Sequence, residues 1–261
     1  MEFANSVVGM VHLEPLPGAP GFGGDRAGIR ERALADARAL DAGGVDAVLV
    51  ENFGDAPFYP DEVPPHVVAE MTPATRAVRE AVDVPVGVNV LRNDAMAALS
   101  VAAAAGASFV RVNTHVGARL TDQGVVEGRA HETMRLRERV DATVDLLADV
   151  AVKHSAPLAE RDLEAEARET LERGLADGLI VSGDRTGVAT DAGTVERVAA
   201  VCAERDAPLL VGSGVTAETV AGYLERADGV IVGTALKEDG DVSKPVDQRR
   251  VRDLVAAARA E

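Results

Sequence analysis

Two segments near the end of the chain have the composition of phosphate-binding loops. Gly212-Ser213-Gly214 follows the apolar run 208–211, and Gly233-Thr234 follows the apolar run 229–232. Because glycine has no side chain, backbone N–H groups can approach phosphate oxygens closely there, and the N-terminus of a following helix adds partial positive charge. In a (β/α)₈ barrel the loops after strands 7 and 8 form such a site. We therefore predict a phosphorylated small-molecule ligand, with simple turn formation as the alternative. The predicted phosphate-binding residues are Gly212, Ser213, Gly214, Gly233 and Thr234.

Polar residues also stand where the remaining predicted strands end, which is where the catalytic residues of such barrels lie. A carboxylate there could act as a general base beside a carbonyl that a cation polarises. Lys153 is notable because only three of the 27 Lys and Arg residues are lysines. Binding a substrate anion suits it better than Schiff-base chemistry, which needs a pKa lowered by burial or by a nearby cation. The predicted catalytic residues are Glu51, Lys153, His12, Asn89 and Asn113.

Each of these residues also has a structural interpretation, such as a buried core histidine for His12 or a hydrogen bond to loop backbone for Asn89. A metal site built from His12, Glu14 and Glu51 is only weakly indicated, because the sequence has no His-x-His or His-x-x-x-His spacing. We therefore predict no metal ligand and assign no cofactor. Cys202 lies in an apolar helical stretch, so we expect a buried side chain rather than a nucleophile.

Short apolar runs alternate with amphipathic stretches along the whole chain, a pattern typical of β-α-β units with parallel strands. Eight such runs leave no room for a second domain, so we predict one (β/α)₈ TIM barrel over residues 1–261. An open doubly wound sheet is the alternative, but it rarely needs eight parallel strands. The predicted strands are 7–13, 47–51, 84–90, 108–113, 147–153, 178–182, 208–212 and 229–233. The predicted helices are 29–42, 67–81, 95–105, 162–173, 195–204, 217–226 and 246–260.

The period of two along a strand predicts which polar side chains face the barrel interior. Arg111 and Asp149 fall in the middle of neighbouring strands, where neither can face a helix cheaply, so we predict that they pair. Four of the seven aromatic residues lie in the first two loops at the carboxyl end of the strands. Such a concentration indicates a lid, a ligand wall or a subunit contact, or else simple packing between loops. These four residues are Phe22, Phe53, Phe58 and Tyr59.

The net charge of −16 argues against nucleic acid or an anionic membrane surface as a partner. No apolar segment reaches transmembrane length, and a single cysteine suits a reducing compartment, so we expect a cytoplasmic protein. The acidic, lysine-poor composition predicts a halophilic protein, with a merely acidic mesophilic protein as the alternative. We also expect a homo-oligomer, because homo-oligomers are common for this fold and the apolar loops at the mouth offer an interface.

Four segments resemble the BtpA family (BtpA/SgcQ): VGMVHLEPLPG at 8–18, TDQGVVEG at 121–128, SGDRTG at 182–187 and VGSGVT at 211–216. The resemblance covers essentially the whole chain. It implies a TIM barrel of the ribulose-phosphate-binding type. It also implies two functional contexts, which are photosystem I biogenesis in cyanobacteria and sugar-phosphate metabolism in other bacteria. It implies no catalytic residue. The composition predicts a haloarchaeal member, which would have no photosystem I to assemble, and therefore favours metabolism.

The leading hypothesis is an isomerase, aldolase or lyase that acts on a phosphorylated sugar or nucleotide-derived metabolite at the carboxyl-end mouth of the barrel. The first alternative is a non-catalytic assembly or regulatory factor of the BtpA type, and the second is a metal-dependent hydrolase. Residues 121–128 lie in the long connection after the fourth predicted strand, and two glycines there could serve as hinges. We expect either a lid that closes over ligand or a rigid cap.

Overall fold

Eight parallel strands close into a barrel, which confirms the predicted fold. The structure is a computed structural model that describes residues 3–140, 143–152, 154–183 and 189–260. Around the barrel each strand pairs with its neighbours in the order β1-β11-β10-β9-β7-β4-β3-β2. These strands are β1 (Ser6–His12), β2 (Ala47–Glu51), β3 (Val86–Asn89), β4 (Phe109–Val112), β7 (Asp145–Val150), β9 (Gly178–Ser182), β10 (Leu209–Gly212) and β11 (Gly229–Val232).

Helices connect the strands and cover the barrel. Aspartate side chains accept backbone N–H groups at the starts of several helices, as Asp25 and Asp94 do for α1 and α3, and this satisfies donors that the helix leaves unpaired. The helices are α1 (Arg26–Gly43), α2 (Pro65–Ala81), α3 (Ala95–Ala105), α4 (Ala130–Arg139), α5 (Leu163–Glu172), α6 (Ala192–Ala203), α7 (Val220–Leu224) and α8 (Gln248–Ala258). Short 3₁₀ helices follow β2 at Phe53–Asp55 and follow β11 at Thr234–Leu236 and Glu238–Gly240. No helix in the described ranges is long and apolar enough to cross a membrane.

Two of the predicted elements are markedly shorter than the sequence pattern indicates. The strand predicted over 147–153 ends at Val150, because Ala151 turns to a φ of +52° and leaves the extended conformation. The helix predicted over 217–226 is helical only from Val220 to Leu224. A turn precedes it, in which the hydroxyl of Thr219 accepts the backbone N–H of Thr216 at 3.0 Å.

The barrel interior is filled by a compact apolar layer near its amino-terminal end. Phe109 is fully buried there, and its ring meets the ring of Phe3 edge-on at 5.9 Å. Gly87 on the adjacent strand makes room for it, since a Cβ at this position would lie 2.2 Å from Phe109 Cε2. The cavity described below opens at the opposite end of the barrel, where the strands have their carboxyl ends.

Three short antiparallel strands form a second sheet beside the mouth of the barrel. They are β5 (Ala118–Thr121), β6 (Gly124–Glu127) and β8 (Ser155–Pro157). The buried Arg119 joins the sheet to α5, because Nε donates to Ser155 Oγ at 2.6 Å and Nη1 donates to Glu166 Oε1 at 3.3 Å. The segment 121–128 is therefore largely a hydrogen-bonded hairpin, which sequence patterns did not predict. Whether it closes over ligand stays a prediction.

A buried ion pair fixes the chain that follows β11. Lys237 Nζ lies 2.7 Å from Asp36 Oδ2, and both side chains are 1% exposed. The other carboxylate oxygen of Asp36 accepts the backbone N–H of Val246 at 2.8 Å, and Arg32 Nε approaches it to 3.2 Å. Burial lowers the pKa of Lys237 below its ordinary value, and the charge of Asp36 only partly opposes this shift. Asp36 on α1 thus holds two separate points of the C-terminal segment.

We expect Asp36→Asn to lower the free energy of unfolding by about 3–5 kcal/mol, because it leaves Lys237 buried beside a neutral amide. Chemical denaturation of the purified variant measures this loss. Asp239→Asn is the matched control, since the Lys244–Asp239 pair is exposed and its removal should leave stability unchanged. Equal losses in the two variants would contradict the role given to the buried pair.

Candidate functional site

A cavity of about 700 Å³ opens at the carboxyl end of the barrel. Its wall combines the ends of β1 and β2 with the loops that follow β10 and β11. It therefore brings together residues that are far apart in the chain, including His12, Glu51, Arg111, Ser213 and Thr234. All five predicted phosphate-binding residues line it, as do two of the predicted catalytic residues.

The two glycine-containing loops bring backbone N–H groups to this cavity wall. Within the described part of the chain, the N–H groups of Ser213, Gly214, Thr234 and Ala235 donate no hydrogen bond to protein atoms. Ser213 and Gly214 have φ values of +68° and +65°, so two consecutive residues adopt the left-handed conformation. Unpaired N–H groups on half-buried backbone are suited to an anion. The helix after β10 is only five residues long, so it adds little of the positive charge that we expected from it.

Ser213 is an unfavourable residue for its backbone conformation, since a side chain at positive φ costs about 1–2 kcal/mol. We therefore expect Ser213→Gly to raise the free energy of unfolding by about 1 kcal/mol. Ser100→Gly, on the exposed face of α3, should lower it by about 0.5–1 kcal/mol. Thermal denaturation of both variants without ligand tests the opposite signs. A loss of stability in Ser213→Gly would contradict strain at this loop.

His12 and Glu51 form a neighbouring pair at the ends of β1 and β2, where the two residues stand in register. His12 Nε2 lies 3.8 Å from Glu51 Oε2, and Glu51 is 3% exposed. Phe53 stacks on the His12 ring with the centroids 4.5 Å apart. A Cβ on Gly233 would lie 3.0 Å from His12 Cε1, so the β11 loop runs directly against this ring. The carboxylate and the imidazole therefore adjoin the glycine-containing loop that follows β11.

Arg111 and Asp149 pair as predicted. Arg111 Nε and Nη2 donate to the two carboxylate oxygens of Asp149 at 2.9 and 2.8 Å. Burial would lower the pKa of Arg111, but the charge and hydrogen bonds of Asp149 outweigh it and raise that pKa. The guanidinium also borders the cavity, so it places a buried positive charge at the floor of the site.

Asn89 ends β3 in register with Glu51, and Asn113 directly follows β4, but neither residue lines the cavity. Asn89 Nδ2 donates to the carbonyl oxygen of Arg111 at 2.9 Å, and Asn113 Nδ2 donates to Asp149 Oδ2 at 3.0 Å. Both side chains therefore hold the Arg111–Asp149 pair in place. Lys153, the remaining predicted catalytic residue, lies outside the described residues.

The sequence profile of the BtpA family matches residues 3–260. The chain belongs to the BtpA family. A relative named photosystem I biogenesis protein BtpA, from Synechocystis sp., is 44% identical over 253 residues, which covers 97% of this chain and 88% of the relative. An uncharacterised protein of Thermococcus kodakarensis is also 44% identical, over 255 residues that cover 97% of this chain and 95% of the relative.

Solved structures with the same barrel are much more distant in sequence. The thiamine phosphate pyrophosphorylase of Pyrococcus furiosus superposes with a TM-score of 0.61 at 15% identity, covering 98% of this chain and 96% of that one. The N-(5′-phosphoribosyl)anthranilate isomerase of the same organism gives a TM-score of 0.58 at 15% identity, with coverages of 97% and 98%. At such identities the likeness establishes the fold alone.

Two further side chains at this end of the barrel were not singled out by sequence patterns. His115, which follows β4, is buried, and its Nε2 pairs with the carbonyl oxygen of Gly174 at 2.8 Å. Arg250 of α8 lines the cavity although it lies sixteen positions beyond Thr234 in the sequence.

Cys202 is buried as predicted, and burial raises the pKa of its thiol to about 12. No group of three His, Cys, Asp or Glu side chains in the described ranges is placed to hold a metal ion.

His115 makes stability depend on pH. Burial lowers its pKa below the ordinary 6.5, and the Gly174 carbonyl only partly opposes this shift. The unfolded chain therefore binds a proton at a pH where the folded chain does not, so stability present above the ordinary pKa declines as the pH falls below it. We expect His115→Gln to melt with a smaller difference between pH 7.5 and pH 5.5 than the wild type. His131→Gln, at an exposed histidine, should keep the wild-type difference; equal pH dependence in all three would refute this assignment.

Proposed function

We propose that this protein is an enzyme that acts on a phosphorylated sugar or nucleotide-derived metabolite, as an isomerase, aldolase or lyase. One observation carries the proposal: a single cavity holds the Glu51–His12 pair beside backbone N–H groups that donate to no described protein atom and are suited to a phosphate. Two proteins with the same barrel, named thiamine phosphate pyrophosphorylase and N-(5′-phosphoribosyl)anthranilate isomerase, have phosphorylated compounds in their names and support the ligand class.

The arrangement suits proton transfer next to a carbonyl group. The loops at 212–214 and 233–234 anchor the phosphate, which fixes the substrate carbon chain over Glu51. The carboxylate of Glu51 accepts the proton from the carbon beside the carbonyl, and His12 is near enough to orient that carboxylate. Negative charge then develops on the carbonyl oxygen, and the guanidinium of Arg111 is the buried cation at the cavity floor that would stabilise it.

The other predicted catalytic residues have supporting places in this proposal. Asn89 and Asn113 act by holding the Arg111–Asp149 pair through the hydrogen bonds described above. Lys153 stays a candidate for binding a substrate anion on the grounds of its scarcity in the sequence alone. We also propose a cytoplasmic homo-oligomer adapted to high salt. The acidic, lysine-poor composition supports the adaptation to salt.

A role in assembly or regulation without catalysis is the second candidate. The name of the Synechocystis relative, photosystem I biogenesis protein, favours it. That candidate predicts that Glu51 and His12 can be replaced without functional loss. Because no three-ligand metal cluster exists among the described residues, no observation favours the metal-dependent hydrolase, and we do not propose it.

Glu51→Gln tests the proposed base. Thermal shifts with sugar phosphates and their dephosphorylated parents first identify a ligand, since ligand at about a hundred times its Kd stabilises by about 2.7 kcal/mol. With that compound as substrate, we expect Glu51→Gln to lower kcat at least about 100-fold, because the amide cannot accept the proton. Its Kd should stay close to the wild-type value, because the phosphate loops are unchanged.

Glu14→Gln is the matched control for this substitution. Glu14 lies at the same mouth, but its side chain is about half exposed and does not line the cavity. Its kcat should therefore equal that of the wild type. Full activity of Glu51→Gln would exclude the proposed base, whereas absence of turnover of the identified ligand by the wild type would favour the assembly role.

A further inference from the structure

The phosphate site proposed above lacks an obvious cation in the loops that form it. Neither 212–216 nor 233–236 contains lysine, arginine or histidine. The helix after β10 has five residues and begins only at Val220. The first turn of α8 offers little more, because the carboxylate of Asp247 accepts the backbone N–H groups of Arg249 and Arg250 at 2.8 and 3.4 Å. A dianionic phosphate would therefore need its counter-charge from a side chain.

Arg250 is placed to supply that charge. Its side chain lines the same cavity as Ser213, Gly214 and Thr234. The guanidinium reaches the 3₁₀ helix after β11, where Nη1 approaches the carbonyl oxygen of Ala235 at 3.5 Å. Ala235 is also one of the residues whose N–H group makes no hydrogen bond to described protein atoms. Arg250 therefore stands beside the backbone donors.

The guanidinium of Arg250 is only loosely engaged within the protein. Its nearest described carboxylate, Asp247, is 4.0 Å from Nε and is already occupied by the two backbone N–H groups. Asp239 also lies within the electrostatic reach of Arg250, but Lys244 Nζ holds its carboxylate at 2.6 Å. No hydrogen bond from Nη2 to a described residue is present, so this edge of the planar fork stays available for two oxygens of one ligand group.

We infer that Arg250 is the side chain that binds and neutralises the phosphate group of the ligand, with the backbone N–H groups of the two loops as its partners. This inference rests on the proposed function and deepens it. It makes the preferred ligand a compound with a phosphate group that can accept two N–H donors from one guanidinium. Phosphate affinity then depends on a residue of α8 rather than on the loops alone.

The test is the Kd of ribose 5-phosphate for wild-type protein, Arg250→Gln and Arg252→Gln, measured by calorimetry at one low salt concentration with ribose as the uncharged comparison. We expect Arg250→Gln to weaken binding about tenfold or more, as for the loss of hydrogen bonds to a charged group. Arg252→Gln is the matched control, two residues further along α8, because its side chain is exposed and does not line the cavity. Its Kd should change less than twofold.

Arg250→Lys keeps the charge but loses the planar fork, and it should bind with intermediate affinity. It also replaces Arg250→Gln if that variant does not fold, which its unliganded melting temperature shows. Equal affinities in the wild type and both Arg250 variants would overturn the role of Arg250 while leaving the phosphate site intact. If the wild type itself binds no phosphorylated probe, the proposed function fails and this inference fails with it.

Discussion

The Arg111–Asp149 pair organises the carboxyl end of the barrel. Two buried charges in a barrel interior are tolerable only when they satisfy each other with good geometry. Here the two donors of Arg111 meet both oxygens of Asp149, and Asn113 donates to the same carboxylate. Asn89 binds the Arg111 carbonyl oxygen from the next strand. One polar network therefore joins β3, β4 and β7 above the apolar layer.

That network makes the mouth of the barrel asymmetric. On the side of β3, β4 and β7, polar side chains are buried against one another, and the sheet formed by β5, β6 and β8 adjoins this side. On the side of β1, β2, β10 and β11, the cavity remains open and the loops hold N–H groups that have no hydrogen-bond acceptor among the described residues. Rigid support and ligand space thus lie on opposite sides of the mouth. Arg111 belongs to both, since it pairs on one side and borders the cavity on the other.

Sequence patterns predicted this arrangement where a local rule determines it. The period of two placed Arg111 and Asp149 on interior faces of adjacent strands, and the glycine loops followed from their position after the last two strands. Strands β5, β6 and β8 were missed because their sequences, ARLT, GVVE and SAP, lack the apolar runs that mark the barrel strands, and β8 also ends in a proline. Short segments of mixed polarity give no clear strand signal.

Other parts of the site depend on tertiary contacts that no local pattern encodes. His115 stands just after a predicted strand, where the side chains of such barrels reach the mouth. It is nevertheless buried, because its ring packs against Gly174, which follows α5. In the sequence Arg250 is one of several charged residues in an amphipathic helix, and only the path of the chain after β11 brings it to the cavity. Long-range placement of this kind requires the three-dimensional fold.

The buried Lys237–Asp36 pair, on the outside of the barrel, supports the wall of the cavity. Lys237 follows directly after the 3₁₀ helix that carries Thr234, and Asp247, which begins α8, donates its backbone N–H to the carbonyl oxygen of Leu236 at 2.9 Å. Asp36 binds Lys237 and also the backbone N–H of Val246. One carboxylate on α1 therefore sets both the loop after β11 and the start of α8. Strain and unpaired N–H groups at a ligand site persist only where surrounding structure holds them, and here this ion pair helps to supply that support.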